Sequence, residues 1–521
     1  MSSKVRHNLP QPDYGQFIGR EAELAKVTRQ MRPYPHCQHS LVTIDGIGGI
    51  GKSALALEVA HRFLHGFDSL VPEERFAAII WTSAKRNTLK PDKGIVERRQ
   101  VLRTLEDICQ IIALTLGIED QLRSQTENKL EFVCRALTQQ TTLLIVDNLE
   151  TVDDEAMIEF LQELPAPTKA IVTTRHRIDV AYPVRLQGMP WEDAKVLIEQ
   201  ECQKKEVTLN DEHKHKLFDR TGGVPLAIVW SVAQMGFGYP VDTVLARLGS
   251  PKSDIARFCF EETVAQIRGN DAYKLLLALA LCISDASREE LGFVAGFGED
   301  EMSRDDGLVQ LEKLSLVNKQ GDKFSMLPLT KEYAKLELEA ADFTTEAVHR
   351  LIDYYVSRDE IVTSEYLTRY KSRLSQTAID KAFDAIWYKC EEWAVHMGDP
   401  YGYSLWVKIV EAVGGIEAVQ ELKKGYGGFN VYDPDGWMNQ EYIDAFGRLI
   451  DTLGRSGEHN VLVEIMRKYS EDKSLKAECL QAIEKFANKK LIQPLQELLR
   501  EERNEDIAAK LQEVITKLEQ A

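Results

Sequence analysis

The stretch Thr43-Ile44-Asp45-Gly46-Ile47-Gly48-Gly49-Ile50-Gly51-Lys52-Ser53 reads as a strand, a glycine-rich turn and the start of a helix. Its G-x-x-x-x-G-K-S spacing is that of a phosphate-binding loop. Glycines at 46, 48, 49 and 51 let the backbone take positive φ and turn its N–H groups toward a phosphate. The helix opening at Lys52 would point its positive end at the same anion. Ile50 and Ala54 complete the loop. Lys52 is expected to bridge β- and γ-phosphates, and the Ser53 hydroxyl to ligate Mg²⁺. A plain turn is the alternative, but a buried-type strand (Leu41 to Ile44) precedes it and an amphipathic helix (Leu55, Val59, Phe63) follows, as the motif requires.

Working outward, the first third of the chain alternates short β-rich apolar runs with helical stretches, which predicts a parallel sheet flanked by helices. The expected strands are Leu41 to Ile44, Ala77 to Thr82, Leu143 to Val146, Ala170 to Thr173 and Val184 to Leu186. In Thr142-Leu143-Leu144-Ile145-Val146-Asp147-Asn148 an apolar strand ends in an acid. This sets Asp147 at the carboxyl edge of the sheet, where such folds bind ligands, and makes it the second magnesium-binding candidate. Alone, an Asp there could simply start a turn.

The 521 residues suit about three to five domains. With 64 basic against 82 acidic side chains the net charge is −18, which disfavours general binding to nucleic acid or anionic membrane. Eight cysteines lie scattered without a C-x-x-C pair, as expected of reduced core thiols in a cytoplasmic protein. His36-Cys37-Gln38-His39 has no second cluster to complete a metal site. The start of the chain lacks an apolar signal core. The longest apolar run, Leu275 to Ile283, falls short of the ~20 residues of a membrane span.

Further motifs occur in a fixed order. Phe17-Ile18-Gly19-Arg20-Glu21 precedes the phosphate loop, Ala170-Ile171-Val172-Thr173-Thr174-Arg175 follows the Asp147 strand, and Gly222-Gly223-Val224-Pro225-Leu226-Ala227 comes later. As a set they resemble the NB-ARC branch of the STAND nucleotide switches, the group of plant disease-resistance receptors, the apoptotic-protease-activating factor and many bacterial regulators. The resemblance spans roughly residues 15–340. It implies an ATP- or ADP-binding switch with slow hydrolysis, used in signalling or regulated assembly such as bacterial defence. By position, Ile18, Gly19 and Arg20 would line the adenine pocket, Arg175 would sense the γ-phosphate, and Pro225 would pack on the base. Lys52, Asp147, Asn148 and Arg175 form the expected catalytic set.

Two departures bear on mechanism. Asn148 stands where many ATPases of this class carry a second acid, and an amide cannot take a proton as a base does. Glu150 is a candidate substitute. In Phe324-Ser325-Met326-Leu327-Pro328-Leu329, Leu327 and Pro328 replace the histidine and aspartate that usually latch ADP.

The expected fold class is an α/β P-loop NTPase domain followed by a helical domain, a winged helix and an all-α C-terminal region. The expected boundaries are an N-terminal tail 1–15, the nucleotide-binding domain 16–186, a small helical domain 187–250 and a winged helix 251–340. Helical pairs 341–424, a Gly/aromatic loop 425–437 and a HEAT-like region 438–521 follow. The winged-helix segment holds 11 basic and 17 acidic residues, the wrong sign for DNA phosphates, so a lever over the nucleotide is the preferred reading. Loop 425–437 is either a surface linker or a partner contact. About seventeen residues before Gly19 leave no room for an effector domain, so the effector is expected to be a separate protein meeting the C-terminal helices. Nucleotide-dependent homo-oligomers are expected too. The rival functions are a continuously cycling ATPase and a winged-helix transcription regulator.

Overall fold

The computed structural model describes residues 5–374 except 13, 33–36, 38, 86, 91–93, 98–103, 125–128, 152–154, 178–181, 249–252, 342, 356–357 and 359. Beyond 374 it describes 379, 382–388, 409–413, 448, 450, 459–468, 473–486 and 489–520. The Gly/aromatic loop 425–437, most of the aromatic stretch 378–397, and His36 and Gln38 therefore lie outside the described residues. Two compact units divide the chain at residues 342 and 343.

The first unit is built on six parallel strands. In chain order its elements begin β1 (Arg6–His7), α1 (Glu21–Gln30), β2 (Leu41–Asp45), α2 (Lys52–His65) and β3 (Ala78–Ser83). A hairpin of β4 (Asn87–Lys90) and β5 (Gly94–Glu97) leads to α3 (Leu105–Leu116), α4 (Glu119–Ser124), α5 (Lys129–Thr138) and β6 (Thr142–Asp147). Then come α6 (Glu155–Gln162), β7 (Lys169–Thr174) and β8 (Tyr182–Arg185). The strand order is β1-β3-β6-β7-β2-β8. β2, β6 and β7 are buried along their whole length, which is why they read as continuous apolar runs rather than alternating ones. On one face Ile108 and Ile112 of α3 and Val133 and Leu137 of α5 pack against Leu144, Val146 and Val172. Helix α3 starts with a capping box in which Thr104 and Asp107 satisfy each other's backbone N–H groups.

Two features depart from the sequence reading. Residues 1–15 are not all tail, because Arg6 and His7 pair in parallel with Ala78 and Ile79 and extend the sheet. A two-residue strand has no periodicity to betray it. Hairpin β4–β5 was likewise not foreseen; the sequence between its Leu89–Ile95 and Thr88–Val96 pairs contains no Asn-Gly or Asp-Gly signal.

Four helices follow: α7 (Trp191–Lys205), α8 (Asp211–Thr221), α9 (Pro225–Gly236) and α10 (Val241–Leu248). Pro225 occupies the first turn of α9, where its missing N–H costs nothing. Next stand α11 (Asp254–Ala265) and α12 (Asp271–Leu281), the latter buried without interruption from Leu275 to Leu281. They are followed by β9 (Ala286–Ser287), α13 (Arg288–Ala295), α14 (Glu301–Lys313), β10 (Asn318–Gln320), β11 (Lys323–Ser325) and α15 (Pro328–Ala340). β10 and β11 form a hairpin turning at Gly321, and β9 adds a third antiparallel strand through Phe324 and Ala286.

The described parts of the second unit are helical, including α16 (Phe343–Tyr355), α17 (Glu360–Tyr370), α18 (His459–Lys468), α19 (Lys473–Phe486), α20 (Ile492–Glu501) and α21 (Glu505–Gln520). A buried ion pair at 2.5 Å joins Lys476 of α19 to Glu502 in the turn before α21. Among the described residues no helix is long and apolar enough to cross a membrane.

Gly223 holds φ +69°, and a Cβ there would lie 2.3 Å from the Met189 carbonyl oxygen, whose own N–H donates to the Gly223 carbonyl at 2.8 Å. Gly223→Ala should cost about 1–3 kcal/mol by strain at this junction of α9 with the sheet domain. The expected result is a lower urea midpoint for the transition that reports the first unit, read by Trp191 and Trp230 fluorescence. An unchanged midpoint would show that the junction yields.

Candidate functional site

β2 delivers the chain to Asp45, after which Gly46, Gly49 and Gly51 all take positive φ (+151°, +77° and +103°) and α2 begins at Lys52. Gly51 caps α2 without a side-chain acceptor, so the first-turn N–H groups remain for an anion. The Lys52 ammonium donates to the Gly46 and Ile47 carbonyls at 2.8 and 2.9 Å. Burial pushes its pKa down to about 8, and the Glu150 and Asp147 charges offset part of that.

At the end of β6 the buried Asp147 carboxylate accepts three hydroxyls: Ser53 at 2.5 Å and Thr173 at 2.7 Å on Oδ1, and Ser83 at 2.9 Å on Oδ2. Parallel register brings Ser83 opposite Asp147 from β3, while β7 supplies Thr173 from the other side. The Ser53 hydroxyl beside a fixed carboxylate is a hard-oxygen donor pair of the kind Mg²⁺ takes with a nucleotide, so these residues fit that ion.

Asn148 sits at φ +63°, a conformation asparagine tolerates. Its N–H donates to Thr173 Oγ1 at 2.9 Å and its Nδ2 to Glu150 Oε1 at 3.2 Å. Glu150 is only 3% exposed and also accepts from Arg175, at 3.2 Å from the backbone N–H and 3.3 Å from Nε. It therefore braces Arg175 and does not stand open to a reacting water.

The cleft over the phosphate loop has a volume of about 1820 Å³. Of the residues singled out from the sequence, Ile18, Arg20, Gly48, Gly49, Ile50, Gly51, Lys52, Ser53, Ala54, Asp147, Asn148, Arg175 and Pro225 all line it. Gly19 packs instead on Asp193, and Gly46 on Leu186, so these two shape the wall from behind. Arg20 is buried and reaches the Ile50 carbonyl at 3.4 Å, the Gln187 carbonyl, and Glu23 at 2.9 Å. It is a strut between the pre-loop segment and the phosphate loop.

Two later segments sit on the loop. The Leu226 N–H donates to the Gly49 carbonyl at 3.2 Å. A Cβ on Gly48 would fall 2.8 Å from the Cys259 carbonyl oxygen of α11. Burial pushes the Cys259 thiol up to about 12, so it is a packing group. Glu262 of α11 lines the cleft and lies 3.7 Å from Arg175. The end of α14 and the segment after it are tied to the strand ends: Arg177 pairs with Glu312 at 3.0 Å, Ser315 Oγ donates to the Arg175 carbonyl at 3.2 Å, and Arg185 donates to the Val317 carbonyl at 2.7 Å. Leu327 does not belong to the cleft wall; it lies beside Gly188, with Pro328 against Gly222.

Sequence reasoning missed Ser83, Cys259 and Glu262, which no local motif marks. It offered Glu150 as a substitute base and not as a partner of Arg175.

Residues 16–172 match the family model of the AAA ATPase domain. The fold is also similar to a Walker-type ATPase of Pyrococcus abyssi, at 13% identity and a TM-score of 0.42, covering 64% of this chain and all of the other. A STAND protein with a tetratricopeptide repeat sensor from Pyrococcus horikoshii matches at 16% identity and a TM-score of 0.28, over 98% of this chain and 85% of that one. A RuvB mutant of Thermotoga maritima matches at 13% identity and a TM-score of 0.30, over 62% and 95%. No curated protein matches the chain. The matched family model, together with the loop and the Asp147 strand, makes 16–172 a P-loop ATPase domain.

Because Lys52 loses its proton near pH 8 and an anion favours its charged form, ADP affinity should be flat below that pH. Above it a proton must be taken up with the ligand, and affinity should fall by up to about tenfold per pH unit. Calorimetry from pH 6.5 to 9.5 in buffers of different ionisation enthalpy checks both the slope and the proton uptake. Lys52→Ala should abolish binding at every pH.

Proposed function

We propose that the protein is an ATP/ADP-dependent switch of the STAND type, similar to the NB-ARC branch, with slow hydrolysis. The observation that carries this reading is that α9 and α11 both rest on the phosphate loop itself, through Leu226 on Gly49 and Cys259 on Gly48. Whatever occupies the loop then bears directly on where those helices sit. The four helices α7–α10 act as the small helical domain. α11–α15 with their three-stranded sheet act as an acidic winged helix that moves as a lever, and the C-terminal helices act as the docking surface for a separate effector or sensor.

In this mechanism the loop amides and Lys52 would hold the phosphates, and Ser53 and Asp147 would hold Mg²⁺, whose charge would offset that of the phosphates. Ser83 and Thr173 keep the Asp147 carboxylate oriented. Ile18, Arg20 and Pro225 border the base, and Arg175 faces the γ-phosphate. Asn148 can orient a water but cannot take its proton, and Glu150 is sealed behind Arg175. Hydrolysis is consequently slow, which separates a timer from a cycling motor.

Purified protein should turn over ATP well below the ~10 s⁻¹ median of enzymes. Asp147→Ala should remove the magnesium-dependent part. Light scattering should give a different size or shape with ADP than with a slowly hydrolysed ATP analogue. Turnover near the ordinary median would favour the cycling ATPase, and identical dimensions in every nucleotide state would leave a nucleotide-binding scaffold.

A further inference from the structure

We infer that Glu262 is a positioning residue that sets the preference between ADP and ATP, by holding the Arg175 guanidinium on α11 and away from a γ-phosphate. The inference rests on the reading of Arg175 as the residue that faces that phosphate.

Arg175 is buried, and its donors point two ways. Nε lies 3.3 Å from Glu150 Oε1, while Nη1 donates to the Cys259 carbonyl at 3.4 Å and Nη2 lies 3.7 Å from Glu262 Oε2. The two acids differ in what they can do. Glu150 is 3% exposed on the sheet domain, so its charge is too costly to leave unpaired and it stays with Nε. Glu262 is 43% exposed on the cleft wall and loses little by turning to solvent. The Nη atoms are thus the part of the guanidinium free to change partner, and both now serve α11.

A phosphate oxygen drawing Arg175 inward would take the N–H groups that Cys259 and Glu262 use. ADP makes no such demand. Docked α11 and a γ-phosphate accordingly compete for one side chain, and that competition is the differential affinity a switch requires. Glu262 thereby takes over a role the missing histidine at Leu327 cannot play, since Leu327 stands outside the cleft wall.

The test is Glu262→Gln, which keeps the shape of an exposed side chain and removes its charge. Calorimetry with magnesium and either ADP or a slowly hydrolysed ATP analogue should show the analogue-to-ADP affinity ratio rising about fivefold or more, with ADP affinity within about twofold of wild type. In an Arg175→Ala background the same change should leave the ratio within about twofold. Hydrogen exchange over residues 254–265 gives a second reading that needs no Arg175 variant: wild type should exchange faster with the analogue than with ADP, and Glu262→Gln should narrow that difference. An unchanged ratio in Glu262→Gln, or a shift that persists without Arg175, would overturn the positioning role; so would equal exchange in wild type with either nucleotide. If wild type binds neither nucleotide, the phosphate-site reading itself fails, and the two failures are told apart.

Discussion

The close approach of other chain segments to the phosphate loop is the constraint on which the first unit depends. Gly48 and Gly49 present bare backbone on one side, and onto it close the Cys259 backbone of α11 and the Leu226 side chain of α9. Any side chain at either position would occupy the space those helices fill. The same lack of side chains lets the loop turn its amides toward an anion. One sequence feature therefore serves both the ligand and the packing of the later helices.

A second layer of order surrounds Asp147. A lone carboxylate buried at a strand end is costly, and three hydroxyls from Ser53, Ser83 and Thr173 offset that cost. They also fix its orientation, because each comes from a different element: Ser83 and Thr173 from the flanking parallel strands and Ser53 from the start of α2. Behind it, Asn148, Glu150 and Arg175 form a chain of contacts that leads from the carboxyl edge of the sheet to α11. Ser315, Arg177 and Arg185 tie the end of α14 and the segment after it to the same strand ends. The carboxyl edge of the sheet thus carries both the phosphate loop and the docked α11.

Five strands, the phosphate loop, Asp147 and the run of helices α7–α10 were legible in the sequence because each rests on local signals. These are unbroken apolar runs, fixed glycine spacing, an acid at a strand end, and helix periodicity. β1 escaped because two residues carry no pattern. Ser83 escaped because nothing in Trp81-Thr82-Ser83 marks which hydroxyl will face a carboxylate 64 residues away.

The sequence by itself determined that a parallel sheet would present a phosphate loop beside an acid, since glycine torsions, a lysine at a helix start and apolar strands follow from residue type and spacing. Only the tertiary structure decided what else reaches that site. Glu150 became a brace when it was buried with the Arg175 guanidinium on one oxygen and the Arg175 backbone N–H on the other. Leu327 fell beside Gly188, and Cys259 and Glu262 entered the cleft because α11 docks on bare glycine backbone. Such placements depend on contacts between residues far apart in the chain, and no local pattern encodes them.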